Sequence, residues 1–261
     1  MVTDLTGKRA IICGSTQGIG KAAAKELALL GASITLIARN EEALKQVIAE
    51  LPADDTESHN YIVADFSDPE SLKPGLSALL REHPIDILVN NTGGPPAGPA
   101  LEAGPEAFRS AFTNHLICNQ VLTQAVVPGM KASGWGRIIN IISTSVKTPL
   151  RNLGVSNTIR GAVASWAKTL SFELAPFGIT VNNVLPGMTL TGRLESLIRT
   201  RSEQTGRSRH EVELEMLKEI PAGRFAQADE VASAIAFLAS PAAGYINGIN
   251  LPVDGGKTPS L

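Results

Sequence analysis

The chain reads as one α/β domain built on a doubly wound parallel sheet of about seven strands. Three observations predict it. Short apolar runs that suit buried parallel strands alternate with helix-forming stretches along the whole length. A glycine-rich turn joins the first run to a strong helix former, as at a ligand-binding strand–helix junction. No linker or internal repeat interrupts the pattern, and 261 residues with 43% apolar and 18% charged side chains suffice for one large core.

The first strand is the run Ala10 to Cys13, and the turn after it reads Gly14-Ser15-Thr16-Gln17-Gly18-Ile19-Gly20. Lys21 to Leu30 then forms a helix that Gly31 ends. Backbone N–H groups and the helix dipole make such a turn an anion site, and glycine lets a pyrophosphate come close. The spacing is Gly-x-x-x-Gly-x-Gly rather than the commoner Gly-x-Gly-x-x-Gly. The second strand, Ile34 to Ala38, ends at Arg39. Sites that take NAD usually carry an acidic residue about here, bonding the ribose 2′-OH. An arginine favours a 2′-phosphate, so NADP is expected in preference to NAD. A solvated charge at a strand end is the alternative.

A helix follows over Glu41 to Leu51, then a third strand over Tyr61 to Ala64, ending at Asp65 and Phe66. The Asp65 carboxylate is placed to accept from an adenine amino group, or to cap a helix, since Asp68-Pro69-Glu70 follows. The fourth strand, Ile85 to Val89, runs into Asn90-Asn91-Thr92-Gly93-Gly94-Pro95-Pro96. Glycines there admit a cofactor and the prolines stiffen the loop. Phe108 to Met130 is one long helix with Asn114 inside it, and a mid-helix Asn needs a reason, functional or as a surface residue. The fifth strand, Arg137 to Ile142, delivers Ser143 to its carboxyl end, where ligands of open parallel sheets bind.

Val155 to Ala175 is a helix rich in small residues, on which Ser156 and Arg160 share a face. The sixth strand, Thr180 to Leu185, ends in the turn Pro186-Gly187-Met188-Thr189-Leu190-Thr191. Residues 193–220 are charged. Their arginines (Arg193, Arg199, Arg201, Arg207, Arg209) read first as a solvated helical insertion balanced by Glu195, Glu203, Glu211 and Glu213. Read functionally, the segment at about 190–220 is a mobile lid over an anionic substrate. Val231, Ala234, Ile235 and Leu238 stripe another helix, and Gly248 to Val253 is the last strand.

Composition excludes other classes. A net charge of −2 and few aromatics give neither the basic excess nor the stacking platform of a nucleic-acid binder. Cys13 and Cys118 read as small buried apolar residues, so a reducing, cytoplasmic setting without disulfides is expected. His59, His83, His115 and His210 show no metal-ligand spacing. No signal peptide and no run of membrane-spanning length is present, so no membrane partner is expected.

With these residues in hand, the chain resembles the short-chain dehydrogenase/reductases, most of all the branch of 3-oxoacyl-(acyl-carrier-protein) reductases. The resemblance runs nearly end to end. It rests on the glycine turn, Asp65, Asn90-Asn91-Thr92-Gly93 (where the family prefers Ala to Thr92), Asn114, Ser143, Phe172 to Ile179, Pro186-Gly187 and Val253-Asp254-Gly255-Gly256. It implies a Rossmann-type fold, a small-molecule carbonyl substrate, NADP and a homotetramer paired through the Phe108–Met130 and Val155–Ala175 helices and the C-terminal strand. The cofactor would lie on residues 14–20, Arg39, Asp65, Phe66, Asn91, Gly93, Arg160, Pro186, Gly187, Thr189 and Thr191, and no metal is implied.

The family's catalytic set is Asn, Ser and Tyr-x-x-x-Lys. Carried onto this chain it falls on Asn114, Ser143, Ser156 and Arg160, so the Tyr and Lys positions hold Ser and Arg. A serine hydroxyl is a far weaker acid than a phenol, and an arginine stays charged. Tyr61 and Tyr245 are the only tyrosines, and neither is an obvious replacement. Three readings follow: an NADP-dependent oxidoreductase with an altered proton relay, a catalytically silent nucleotide-binding sensor or scaffold, and a non-redox enzyme like the halohydrin dehalogenases. The last group shares the Arg but keeps the Tyr and has a degraded glycine turn, so it ranks last.

Overall fold

The computed structural model of the protein describes residues 1–52 and 58–260. Seven strands make one sheet: β1 (Arg9–Cys13), β2 (Ser33–Ala38), β3 (Asn60–Val63), β4 (Ile87–Asn90), β5 (Gly136–Ile141), β6 (Ile179–Pro186) and β7 (Asn250–Val253). Their order is β3-β2-β1-β4-β5-β6-β7, and every neighbouring pair is parallel. The direction of winding reverses between β1 and β4, and the crevice beyond their carboxyl ends is where such sheets bind ligands.

Side chains of successive strand residues point to opposite faces, and two cores result. On one face Ile12, Ile34, Val89, Ile139 and Val184 pack with α1 (Gly18–Leu29), α2 (Glu41–Glu50) and the later helix at Ala228–Ala239. On the other, Ile11, Leu88, Ile138 and Val181 pack with α3 (Leu72–Glu82), the helix Cys118–Ser133 and the helix Gly154–Leu174. Of these helices, α3 follows the helix start suggested by Asp68-Pro69-Glu70, and only its extent has no counterpart in the sequence-based expectations. Its start is marked only by the short turn Pro69–Ser71, which the Asp68 carboxylate caps through Glu70 N.

The single long helix expected over Phe108 to Met130 is replaced by three pieces. These are α4 (Pro105–Ala111), a π-helical turn over Phe112–Ile117 and α5 (Cys118–Ser133). The wider turn contains Asn114, and widened turns of this kind gather at functional positions. After α6 (Gly154–Leu174), the charged segment folds as α7 (Gly192–Thr205) and α8 (Arg209–Lys218), before α9 (Ala228–Ala239). Leu194, Ile198, Val212 and Met216 give α7 and α8 a small core of their own.

One polar feature runs through the sheet interior. Asn90, Asn140, Asn183 and Asn250 stand opposite one another in register on β4 to β7. Asn90 Nδ2 donates to Asn140 Oδ1 (2.9 Å), Asn140 Nδ2 to Asn183 Oδ1 (2.9 Å) and Asn183 Nδ2 to Asn250 Oδ1 (2.8 Å). Each bond joins one strand to the next, so the chain of amides ties the four strands to a single register, leaving Asn90 Oδ1 at its end without a partner among the described residues. Both cysteines are buried and unbridged. Among the described residues no helix is long and apolar enough to cross a membrane.

Candidate functional site

The glycine turn leaves β1 and enters α1 at the reversal point. Gly14 and Gly18 adopt the left-handed backbone, φ +57° and +54°. Sterics require glycine here as well as conformation: a Cβ on Gly14 would lie 2.5 Å from Asn91 O. The Asn91 amide braces the turn from the β4 side, Nδ2 donating to Cys13 O and Gly14 O, both at 3.2 Å. Gly18 faces Thr191, whose Cγ2 would meet a Cβ at 3.1 Å. The turns after β1, β4 and β6 therefore converge on one mouth. Ser15 is fully buried there, and its hydroxyl has no hydrogen-bond partner among the described residues. Gly93 faces open space.

At the far end of the crevice Arg39 is exposed just beyond β2, and no carboxylate of the described residues lies within 4 Å of it. Asp65 accepts from Ser67 N (2.9 Å), a bond that lowers its pKa, with the Arg39 charge adding to the effect. It caps a local turn and keeps one oxygen free of backbone partners, while Asp68 takes the helix-cap role. An exposed guanidinium beyond β2, a turn of convergent N–H groups and an unsatisfied Ser15 hydroxyl fit a dinucleotide with a 2′-phosphate.

Beyond β5 the catalytic candidates gather. Ser143 is half-buried, and its hydroxyl accepts from Ser145 N (3.1 Å), so it also caps the turn Thr144–Val146. Asn114 presents a buried Oδ1 with no partner among the described residues. Ser156 and Arg160, one turn apart on α6, are 8% and 7% exposed. Arg160 Nη1 donates to Ile141 O, the last residue of β5, at 3.0 Å. Burial pushes its pKa down to about 10, with the nearby Arg193 charge contributing, so it remains a cation at neutral pH.

The arginines of the charged segment divide differently from expectation. Arg201 and Arg207 both pair with Glu215, and Glu211 closes a capping box with Ser208. Their partners lie on the facing helix, not at the glutamates expected from sequence. Arg193 alone reaches inward: its Nη2 donates to Pro95 O (2.7 Å), and it lies beside Gly94. A separate cavity of about 300 Å³ lies behind that loop, lined by Pro95–Pro99, Glu102, Ala103, Ala107 and Val155. No residue of the glycine turn lines it.

The sequence assigns His115 no role beyond the absence of metal-ligand spacing. His115 is buried, and its Nδ1 shares a hydrogen bond with Thr92 Oγ1. Thr92 is the residue that replaces the alanine of the resemblance, and that departure is the one signal in the chain for the pair. Burial, and secondarily the Arg160 charge, depress the His115 pKa from 6.5 to about 2, so the imidazole is neutral. A histidine that must stay neutral when folded but protonates when unfolded costs stability as pH falls below 6.5. Stability is thus complete above that pH and declines toward the folded value near 2. His115→Asn keeps a donor to Thr92 and removes the titration. In urea melts, the gap between parent and variant should shrink by about 2 kcal/mol from pH 7 to pH 5, one proton over 1.5 pH units. A gap constant with pH would refute the assignment.

Comparison with known proteins agrees with this fold. The family model described as enoyl-(acyl carrier protein) reductase matches residues 14–258. A 3-oxoacyl-(acyl-carrier-protein) reductase of Haemophilus influenzae is 34% identical over 255 residues, covering 97% of this chain and 98% of that protein. L-xylulose reductase of Mesocricetus auratus is 33% identical over 253 residues, covering 97% of each. The crystal structure of L-sorbose reductase from Gluconobacter frateurii, complexed with NADPH and L-sorbose, superposes with a TM-score of 0.93 at 30% identity over the whole of both chains. With seven parallel strands, a glycine turn at the winding reversal and matches over nearly its full length, the chain belongs to the short-chain dehydrogenase/reductase family.

Proposed function

We propose that the protein is an NADP(H)-dependent carbonyl reductase, similar to the ketoacyl reductases, that works without the family's tyrosine and lysine. The observation that carries this reading is a whole cofactor turn beside a buried Ser156–Arg160 pair, at the strand ends where the sheet's winding reverses. NADPH is the cofactor of the superposed sorbose reductase, and when bound here it would supply the hydride. Arg39 would hold the 2′-phosphate and the N–H groups of residues 14–20 the pyrophosphate. Thr189, Thr191, Pro186 and Gly187 would line the mouth from the β6 side, and Asn91 and Gly93 would close it from β4.

Arg160 would donate to the ribose hydroxyls with the N–H groups not engaged by Ile141 O. Ser143 and Asn114 would turn their polar atoms to the substrate carbonyl and favour charge developing on its oxygen. That oxygen needs one proton for each hydride received. Ser156 is too weak an acid to release a free proton, so its hydroxyl would pass its proton to the oxygen while taking another from water. The lid role of α7 and α8 is part of the same proposal: their separate core lets the pair move as a unit.

Fluorescence titration tests the cofactor assignment. NADPH should bind roughly ten- to hundredfold more tightly than NADH, as expected of a charge-assisted arginine–phosphate pair. Arg39→Asp should weaken NADPH binding and relax the preference. Equal or tighter NADH binding by the parent protein sinks the NADP assignment. Binding of NADPH without its oxidation by any of a panel of ketones, quinones and acyl thioesters would count against a redox role.

A further inference from the structure

Two positive charges are drawn inward at the carboxyl ends of neighbouring strands, with no negative charge to meet them. Arg160 comes up from α6 and is 7% exposed. Arg193 comes down from the first turn of α7, half-buried. Each spends one nitrogen on a backbone carbonyl: Arg160 on Ile141 O at the end of β5, and Arg193 on Pro95 O in the loop after β4. Gly94 lies against the same guanidinium: a Cβ there would sit 3.6 Å from Arg193 Nε and Nη2, in van der Waals contact. Among the described residues neither arginine has a carboxylate within 4 Å, although Arg201, Arg207 and Arg224 nearby in sequence all do.

Carbonyl oxygens satisfy donors but not charge. Desolvating a cation without a counter-ion is costly, and bringing a second cation toward it adds to the cost. The effect is visible in Arg160, whose pKa is pushed down by burial and by Arg193 together. Nor do the ribose hydroxyls proposed as partners of Arg160 remove the deficit, because they are neutral. Arg39, which would take the cofactor's extra phosphate, lies at the other end of the crevice, beyond β2. What is missing between α6 and α7 is a negative charge that arrives with the substrate.

We propose that Arg160 and Arg193 form a receptor for an oxoanion of the substrate, so that the carbonyl compound reduced here carries a carboxylate or a phosphate. The inference rests on reading the strand-end site as a carbonyl-reductase site. Arg193 is then the specificity-determining residue, and it is the one arginine of the 190–220 segment whose charge faces the site. Its planar fork suits either oxoanion, and its place on α7 couples anion binding to closure of the helix pair.

Calorimetry on the protein saturated with NADP⁺ tests this without turnover, using two matched pairs: acetoacetate against methyl acetoacetate, and dihydroxyacetone phosphate against dihydroxyacetone. At least one anion should bind roughly ten- to hundredfold more tightly than its neutral partner, the range for a charge-assisted bond. The pair showing the preference identifies carboxylate or phosphate. Arg193→Met should bring the two members of that pair within about threefold, Arg193→Lys should retain part of the difference, and Arg199→Ala, on an exposed face of α7, should change nothing. Equal binding within both pairs, no binding by either anion, or a preference that survives Arg193→Met overturns the proposal. Failure of NADP⁺ or NADPH to bind at all refutes the functional reading instead, so the two failures are told apart.

Discussion

Changing Ser156 to Tyr together with Arg160 to Lys should raise carbonyl reduction by as much as about 10²–10⁴-fold, the contribution of a positioned general acid. That range corresponds to about 3–5 kcal/mol of barrier. The expectation depends on the rest of the site being whole. Asn114 keeps an Oδ1 unpartnered among the described residues, Ser143 stands at the carboxyl end of β5, and the glycine turn is braced by Asn91. On the proposed reading, the acid and its partner are the catalytic positions at which the chain departs from the family pattern. The gain will be smaller if the phenol packs poorly, because Ser156 is buried and a much larger side chain must enter from α6. The two changes should be non-additive, since the lysine acts through the tyrosine. In the converse experiment, Ser156→Ala should slow any native turnover that relays its proton through the hydroxyl. Steady-state kinetics at saturating NADPH measure both. A double variant that folds, binds NADPH and shows no gain would mean that proton delivery is not what limits the reaction.

The parts of this site that could be read from the sequence are those whose neighbours in space are neighbours in the chain. Strand, glycine turn and helix are contiguous from Arg9 to Leu29, so the cofactor turn was legible as a unit. Ser156 and Arg160 are four apart on one helix, and their shared face follows from helix geometry alone. Strand order was less accessible. The alternation of elements implies a parallel sheet, but placing β1 beside β4 needs pairings between distant segments. The ladder of Asn90, Asn140, Asn183 and Asn250 is invisible for the same reason, because each residue alone is an unremarkable polar residue near a strand end.

Arg193 was hidden differently. Five arginines in one charged segment look alike in sequence, and only burial and partners separate the one that turns inward from those paired with Glu215. The π-helical turn at Asn114 has no periodic signal either: one extra residue per turn, for one turn, leaves the apolar spacing on either side almost unchanged.

Gly20→Ala should weaken NADPH binding by at least about a hundredfold, near 3 kcal/mol. Propensity predicts the opposite sign for stability. Gly20 lies in the first turn of α1, where alanine gains up to about 1 kcal/mol over glycine. Its backbone is not left-handed, so no conformational strain opposes the change. Space does oppose it. A Cβ at Gly20 would lie 2.7 Å from Asn91 Nδ2 and closer still to Gly14 O, the two groups that hold the turn against the β4 loop. Neither can retreat cheaply. Gly14 O is backbone, and the Asn91 amide is fixed by Cys13 O and Gly14 O together. The added methyl must therefore pry the turn open and misalign the N–H groups proposed for the pyrophosphate, an overpacking cost of roughly 1–3 kcal/mol that outweighs the propensity gain. Thermal melts should show a lower Tm, and fluorescence titration the loss of affinity. An alanine variant with raised Tm and parental NADPH affinity would mean that α1 slides along the sheet to accommodate the methyl, and that the close approach of Gly20 to Gly14 is not what shapes the site.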